Sequence, residues 1–200
     1  MSKTGQTVYG QNTKTLGEHD TIIGANAQSN STTGQNTHVG YNAEASNDKN
    51  VCIGRYAQTT GYNTVVIGAN SRIDGNCSVS IGNCRGRDNS STYTTGNYTV
   101  SVGYGIGARG SKQSVFIGNS ISLSNLSSGN VTWAVCIGDN AQMGANYGIA
   151  IGSQANIHAG AVNSVAIGSN AHAYSIHSVA IGNSATVNYS SNYSTAIGYH

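Results

Sequence analysis

Asn163-Ser164-Val165-Ala166-Ile167-Gly168-Ser169-Asn170-Ala171-His172-Ala173 decides the fold, because close copies of it recur along the whole chain. Aligned on the glycine of Val-Ala-Ile-Gly, the copies place Gly10, Gly24, Gly40, Gly54, Gly68, Gly82, Gly103, Gly118, Gly138, Gly152, Gly168, Gly182 and Gly198 at spacings of 14 to 21 residues. A period so short, sustained so long, marks a solenoid in which each repeat buries apolar surface against its neighbours.

Three residues before each glycine stands Val, Ile or Thr, and just before it stands Ile or Val in every copy but the first, where Tyr9 takes the place. β-Branched side chains favour strands, and positions two apart share a strand face. That face is read as the interior of each coil: Val51 and Ile53, Val65 and Ile67, Val79 and Ile81, Val115 and Ile117, Val135 and Ile137, Val165 and Ile167, Val179 and Ile181. The position between them points the other way and is small or apolar at Cys52, Val66, Ser80, Phe116, Cys136, Ala150, Ala166, Ala180 and Ala196. A solvated face would carry Lys, Glu or Thr there, so this face is expected to be covered from outside the coil, making these residues interface candidates.

The glycine is expected to end the strand in a turn that needs φ > 0 or close backbone approach. Three and five residues later come further small or apolar side chains, as in Ala43 and Ala45, Ala155 and Ile157, Ala171 and Ala173, or Ala185 and Val187. These alternate as a second strand would. The pattern predicts an all-β parallel β-roll, a solenoid of about 13 short two-stranded coils joined by polar returns.

The units Asn163–Ala173 and Ser178-Val179-Ala180-Ile181-Gly182-Asn183-Ser184-Ala185-Thr186-Val187 resemble the head repeats of YadA-like trimeric autotransporter adhesins. The resemblance spans residues 7 to 200, closest after Val135 and loosest before Val51 and between Asn83 and Ser114. It implies a left-handed roll, a parallel homotrimer and a role in surface attachment. Trimerisation also has a physical motive, since a coil of about 14 residues has little interior of its own. Burying the intervening positions at roughly 25 cal/mol per Å² would supply what a single roll lacks.

Composition narrows the function classes. The chain has 200 residues with 27 Gly, no Pro and 8% charged residues, which fits one elongated domain better than a globule with a deep core. A net charge of +2 with scattered Lys and Arg excludes a nucleic-acid surface. No apolar run approaches span length, so no membrane insertion is expected.

Cys52, Cys77, Cys84 and Cys136 show no CxxC spacing and read as small hydrophobes or free thiols, suited to assembly in a reducing cytoplasm. His158, His172 and His177 fall on or near outer strands and returns, whereas His38, at the intervening position, is the better candidate to face a trimer axis. No cofactor or metal is expected. The glycine-rich Tyr104-Gly105-Ile106-Gly107-Ala108-Arg109-Gly110 has a GxG spacing but no strand-loop-helix context for a phosphate loop. Ile167-Gly168-Ser169-Asn170-Ala171-His172 would pass for one unit of a hexapeptide-repeat acyltransferase. Such coils need three consecutive six-residue units, and here one unit is followed by unrelated residues, so no enzyme is expected.

Residues 1–20 read as an N-terminal cap or attachment segment with one degenerate coil, Thr7-Val8-Tyr9-Gly10, and residues 21–200 as the roll. Two longer insertions interrupt it at 83–98 and 119–133, separated by a single coil. Loops on a rigid scaffold favour recognition, so Arg85, Arg87, Asp88, Tyr93, Tyr98 and Trp133 are the receptor-binding candidates. Tyr147, Tyr174, Tyr189 and Tyr193 lie in late returns and give a tyrosine-studded flank suited to weak glycan or protein contacts.

Residues 1–20 lack the apolar core of a signal peptide, and no stalk or barrel anchor is legible. With an initiating Met and free cysteines, the expectation is a virion fibre or tail-tip protein, plausibly of a phage, assembled in the host cytoplasm and displayed on the virion surface. Its expected partners are two copies of itself, a host cell-surface glycan or protein, and other fibre or tail proteins at the termini. The alternatives are the head of a bacterial cell-surface adhesin and a purely structural spacer.

Overall fold

Each copy of the repeat motif forms a strand, and each strand pairs in parallel with the same motif position one repeat away. The computed structural model describes residues 4–82, 92–94, 96–108, 110–123 and 131–199, residues 92–94 as backbone only. It divides into two compact units, Met1–Tyr98 and Thr99–His200. Both are parallel β-solenoids with no helix among the described residues.

In the first unit the strands Thr7–Tyr9, Thr21–Ile23, Thr37–Val39, Val51–Ile53, Val65–Ile67 and Val79–Ile81 form one sheet in chain order. Thr37 pairs with Val51, Val51 with Val65, and Val65 with Val79, so like positions stack. Lys14–Thr15, Gln28–Ser29, Glu44–Ala45, Gln58–Thr59, Ser71–Ile73 and Thr92–Thr94 form the opposite sheet.

The second unit repeats this with Val100–Tyr104, Val115–Asn119, Val135–Asp139, Ile149–Ile151, Val165–Ile167, Val179–Ile181 and Thr195–Ile197 on one side. Gln142–Met143, Asn156–Ile157, His172–Ala173 and Thr186–Val187 lie on the other. At Gly103, Gly118 and Gly138 the strand runs on through the glycine instead of ending there.

The motif glycines are needed where coils touch. Gly54 has φ +135°, and a Cβ on it would lie 2.5 Å from the Gly68 carbonyl oxygen in the next coil. Only a residue without a side chain lets the two backbones approach so closely.

The interior differs from the expectation in one decisive respect: the two strand faces are exchanged. Cys52, Val66, Ser80, Phe116, Cys136, Ala150, Ala166 and Ala180, expected to meet sister chains, are fully buried inside their own coils, with Ala196 half-buried in the last one. Their partners across the coil are Ala43, Ala45, Ala57, Ile73, Ala155, Ile157, Ala171 and Ala173, also fully buried. The residues expected as coil core point outward. Val51, Val65, Val79, Val115, Val135, Val165 and Val179 are half-buried, as are Ile67, Ile137, Ile167 and Ile181, while Ile53, Ile81 and Ile117 remain 37–39% exposed.

The reason is thickness. Two strands laid back to back by a tight turn leave a narrow slot that the intervening positions and their partners across the coil line, mostly with small side chains and with Val66, Phe116, Ile73 and Ile157 as larger members, while the Val and Ile on either side of the intervening positions face out. Smallness at the intervening position reports close packing within a coil, not between chains.

Buried backbone groups at the coil corner are satisfied by a side-chain ladder. Asn36 N–H donates to Asp20 Oδ1, Asn50 N–H to Asn36 Oδ1 and Thr64 N–H to Asn50 Oδ1, each at 2.9 Å. In the second unit Ser178 N–H donates to Ser164 Oγ at 3.0 Å. Such bonds meet the demand that interior N–H groups find partners.

Candidate functional site

The outward ladder of branched apolar residues is the most extended surface feature of both units. In the first it carries Val51, Ile53, Val65, Ile67, Val79 and Ile81, and in the second Val115, Ile117, Val135, Ile137, Val165, Ile167, Val179 and Ile181. Ile23, Ile53, Ile81, Ile117 and Ile149 keep 36–39% of their surface exposed. Parallel sheets are ordinarily covered on both faces. Contiguous apolar surface of this kind marks an interaction site.

Of the receptor-binding candidates, Arg85, Arg87 and Asp88 lie outside the described residues. Tyr93 sits in the Thr92–Thr94 strand, paired with Arg72, and its side chain lies outside the described set. Tyr98 and Trp133 are exposed, at 61% and 54%. Both occupy the same motif position, five residues before the glycine, and both have positive φ, 59° and 56°.

The late tyrosines do not form one flank. Tyr174 and Tyr189 join His158 and His172 in a ring cluster, with Tyr174 and Tyr189 centroids 4.7 Å apart and each 5.2 Å from His158. Tyr189 Oη and His158 Nε2 are hydrogen-bonded at 2.9 Å. His172 stacks on Tyr174 at 5.6 Å, and burial lowers its pKa. Tyr147 and Tyr193 instead stand five residues before their glycines, as Trp133 does, and Tyr193 stacks on His177 at 4.9 Å and 6°. Counting back from each glycine would have revealed this grouping in the sequence.

His38 does not face an axis. It is fully buried in its own coil between Ile22 and Cys52, and neither ring nitrogen has a hydrogen-bond partner. Burial pushes its pKa down to about 4, against an opposing pull from Asp20. Burial also pushes the Cys52 thiol up to about 12, with Glu44 adding to the shift, and the Cys136 thiol up to about 12. Thiols held neutral in this way are poor nucleophiles and poor metal ligands. Cys77 is exposed, and Cys52, Cys77 and Cys136 are free. Among the described residues no group of three or more His, Cys, Asp or Glu is placed to hold a metal ion. No described helix is long and apolar enough to cross a membrane.

Comparison with known proteins agrees with the repeat reading. The family model "YadA head domain repeat" matches residues 53–71, 159–185 and 176–200, so the chain carries YadA-like head repeats in those segments. Among solved structures, the crystal structure of the collagen-binding domain of Yersinia adhesin YadA aligns at 19% identity over 94% of this chain and 70% of that one, with a TM-score of 0.26. No curated protein matches significantly.

Proposed function

We propose that this chain is a non-enzymatic attachment module: a parallel homotrimer in which the outward Val and Ile ladders of three chains meet, leaving turns and insertions free to contact a host surface. The observation that carries the reading is the uncovered apolar ladder, supported by the YadA-like head repeats. Covering the remaining third of Ile53, Ile81 or Ile117 is worth roughly 0.5–1 kcal/mol, and covering each half-buried Val or Ile somewhat less. Summed over two residues per coil, this is on the scale of the about 4–15 kcal/mol that association costs. The interface residues are then Val51, Ile53, Val65, Ile67, Val165, Ile167, Val179, Ile181 and their equivalents, not the buried residues between them.

The setting we favour is a virion fibre or tail-tip protein on the virion surface, with a host cell-surface glycan or protein as receptor and other fibre or tail proteins at the termini. The head of a bacterial cell-surface adhesin is the second reading, and the family match supports it equally.

Light scattering on the purified chain tests the assembly, and pull-down with candidate host cells tests attachment. A trimer mass with cell association is expected. A monomer at micromolar concentration would remove the trimer, and a trimer that associates with no cell would leave a spacer.

A further inference from the structure

Among the described residues, the chain takes a left-handed conformation two residues after a motif glycine and again five residues before the next, and in the second unit the two positions are filled differently. Two residues after the glycine the second unit carries Ser120, Asn140, Gln154, Asn170 and Ser184, with φ between 52° and 60°, and the first unit Asn12, Asn26, Asn42, Tyr56 and Asn70. Asparagine tolerates that conformation best of the residues with side chains. Five residues before the glycine, the second unit instead carries Gln113, Trp133, Tyr147, Asn163, His177 and Tyr193, with φ from 52° to 61°. Bulky side chains are disfavoured there. Asn163, at φ 58°, shows that the fold is satisfied by asparagine at this very position. The coil imposes this conformation but does not require a ring in it, so four rings held there point to a functional reason.

The column is ordered and open. Trp133 N–H donates to Lys112 O, Tyr147 N–H to Thr132 O, Asn163 N–H to Asn146 O, His177 N–H to Val162 O and Tyr193 N–H to Ile176 O, at 3.0–3.2 Å. Each residue is thus pinned to the coil before it, at steps of about 4.8 Å. Trp133, Tyr147 and Tyr193 are 54%, 53% and 75% exposed, so their rings contribute little to the interior. The parallel His177–Tyr193 stack at 4.9 Å shows the coil step carried over into ring spacing. None of the six residues is an acid, Lys or Arg. The equivalent column of the first unit, His19, Gln35, Lys49, Asn63, Cys77 and Tyr98, is mostly small or polar.

We propose that Trp133, Tyr147, Asn163, His177 and Tyr193 form a track that binds a neutral glycan chain lying along the coils. Aromatic faces not already stacked on each other, those beside Asn163, cover the C–H faces of a sugar ring, while the indole N–H, phenol, imidazole and amide edges reach the hydroxyls. Asn163 leaves a gap between Tyr147 and His177 of two coil steps, about 9.6 Å. Carbon atoms pack best at about 3.5–4.0 Å, so that gap admits one puckered sugar ring above the Asn163 amide. The lack of charge in the column argues against an anionic glycan or a single-stranded nucleic acid, which need cations beside the stacking rings. This assignment rests on the attachment reading and names the ligand class for one flank.

The test is affinity electrophoresis of the full chain through gels holding dextran, mannan or laminarin, with heparin as the anionic comparison. Trp133 is the only tryptophan, so its emission reports occupancy directly. The variants are Trp133→Asn with Tyr147→Asn, and separately Tyr193→Asn, chosen because Asn relieves the left-handed strain and keeps the coil folded. Retardation by at least one neutral polysaccharide, a blue shift of Trp133 emission, and binding weaker by about tenfold or more in the double variant are expected, at unchanged or higher Tm and unchanged mass. The proposal is overturned by retardation in none of the neutral gels, by heparin alone retarding the chain, or by variants that bind as well as the parent. A variant that loses its oligomeric mass would also overturn it, placing the column against a sister chain. Cell pull-down run in parallel separates the two readings, since cell association without polysaccharide binding removes the track and leaves attachment standing.

Discussion

Asn50 donates its backbone N–H to Asn36 Oδ1 at 2.9 Å, one coil below, and its own Oδ1 accepts the Thr64 N–H and the Thr64 hydroxyl at 2.9 and 2.7 Å. One buried amide thus ties three coils together. Its Nδ2 also donates to Asn47 O and Gly61 O, each at 2.9 Å. Asn50→Leu would strand the Thr64 N–H and two carbonyls without partners. A buried polar group left unsatisfied costs about 1–3 kcal/mol, so the loss should be at least that. Thermal unfolding followed by circular dichroism checks it, and an unchanged Tm would show the ladder to be dispensable.

Gly54→Ala should be far more damaging than Gly160→Ala. Both glycines have positive φ, +135° and +87°, but a Cβ at Gly54 meets the Gly68 backbone while one at Gly160 meets nothing within 4 Å. The second change carries only the conformational cost of about 1–2 kcal/mol. The first adds a clash that only separating two coils can relieve. Comparing the two variants by urea denaturation reads the difference directly.

Acid should destabilise the first unit through His38. Its folded pKa of about 4 lies below the unfolded value of 6.5, so between these values the unfolded chain binds the proton and the folded one does not. Stability from this group is complete above pH 6.5 and falls as pH drops towards 4, by roughly 3 kcal/mol in all. His38→Leu fills the space between Ile22 and Cys52 without a titrating group and without two unpaired ring nitrogens. Its Tm should fall less than the parent's between pH 7 and pH 4, and equal falls would assign the acid sensitivity elsewhere.

Ile167→Glu with Ile181→Glu should leave the coils folded and block assembly. Both side chains point outward in neighbouring coils whose interior is filled by Ala166 and Ala180. Charges there are solvated in a single chain but stranded in an apolar contact between chains. Sedimentation velocity should show a monomer with the parent's β-type circular dichroism. A variant that still assembles would place the interface on another face.

Much of this protein was legible in its repeat alone. Val165-Ala166-Ile167-Gly168 and its copies determined the parallel in-register coils, since a glycine returning every 14 to 21 residues, mostly 14 or 16, with fixed alternation before it permits little else. What alternation cannot state is which side of a strand is inside, because Val165 and Ile167 oppose Ala166 in either arrangement. The tertiary structure decided that: Ala166 meets Ala171 and Ala173 across the slot between two back-to-back strands, and Val165 and Ile167 are left on the outer side. It also decided which distant residues share a left-handed corner, because a positive φ at Trp133, Tyr147 or Tyr193 is imposed by stacking on the coil beneath and not by the preference of the residue itself.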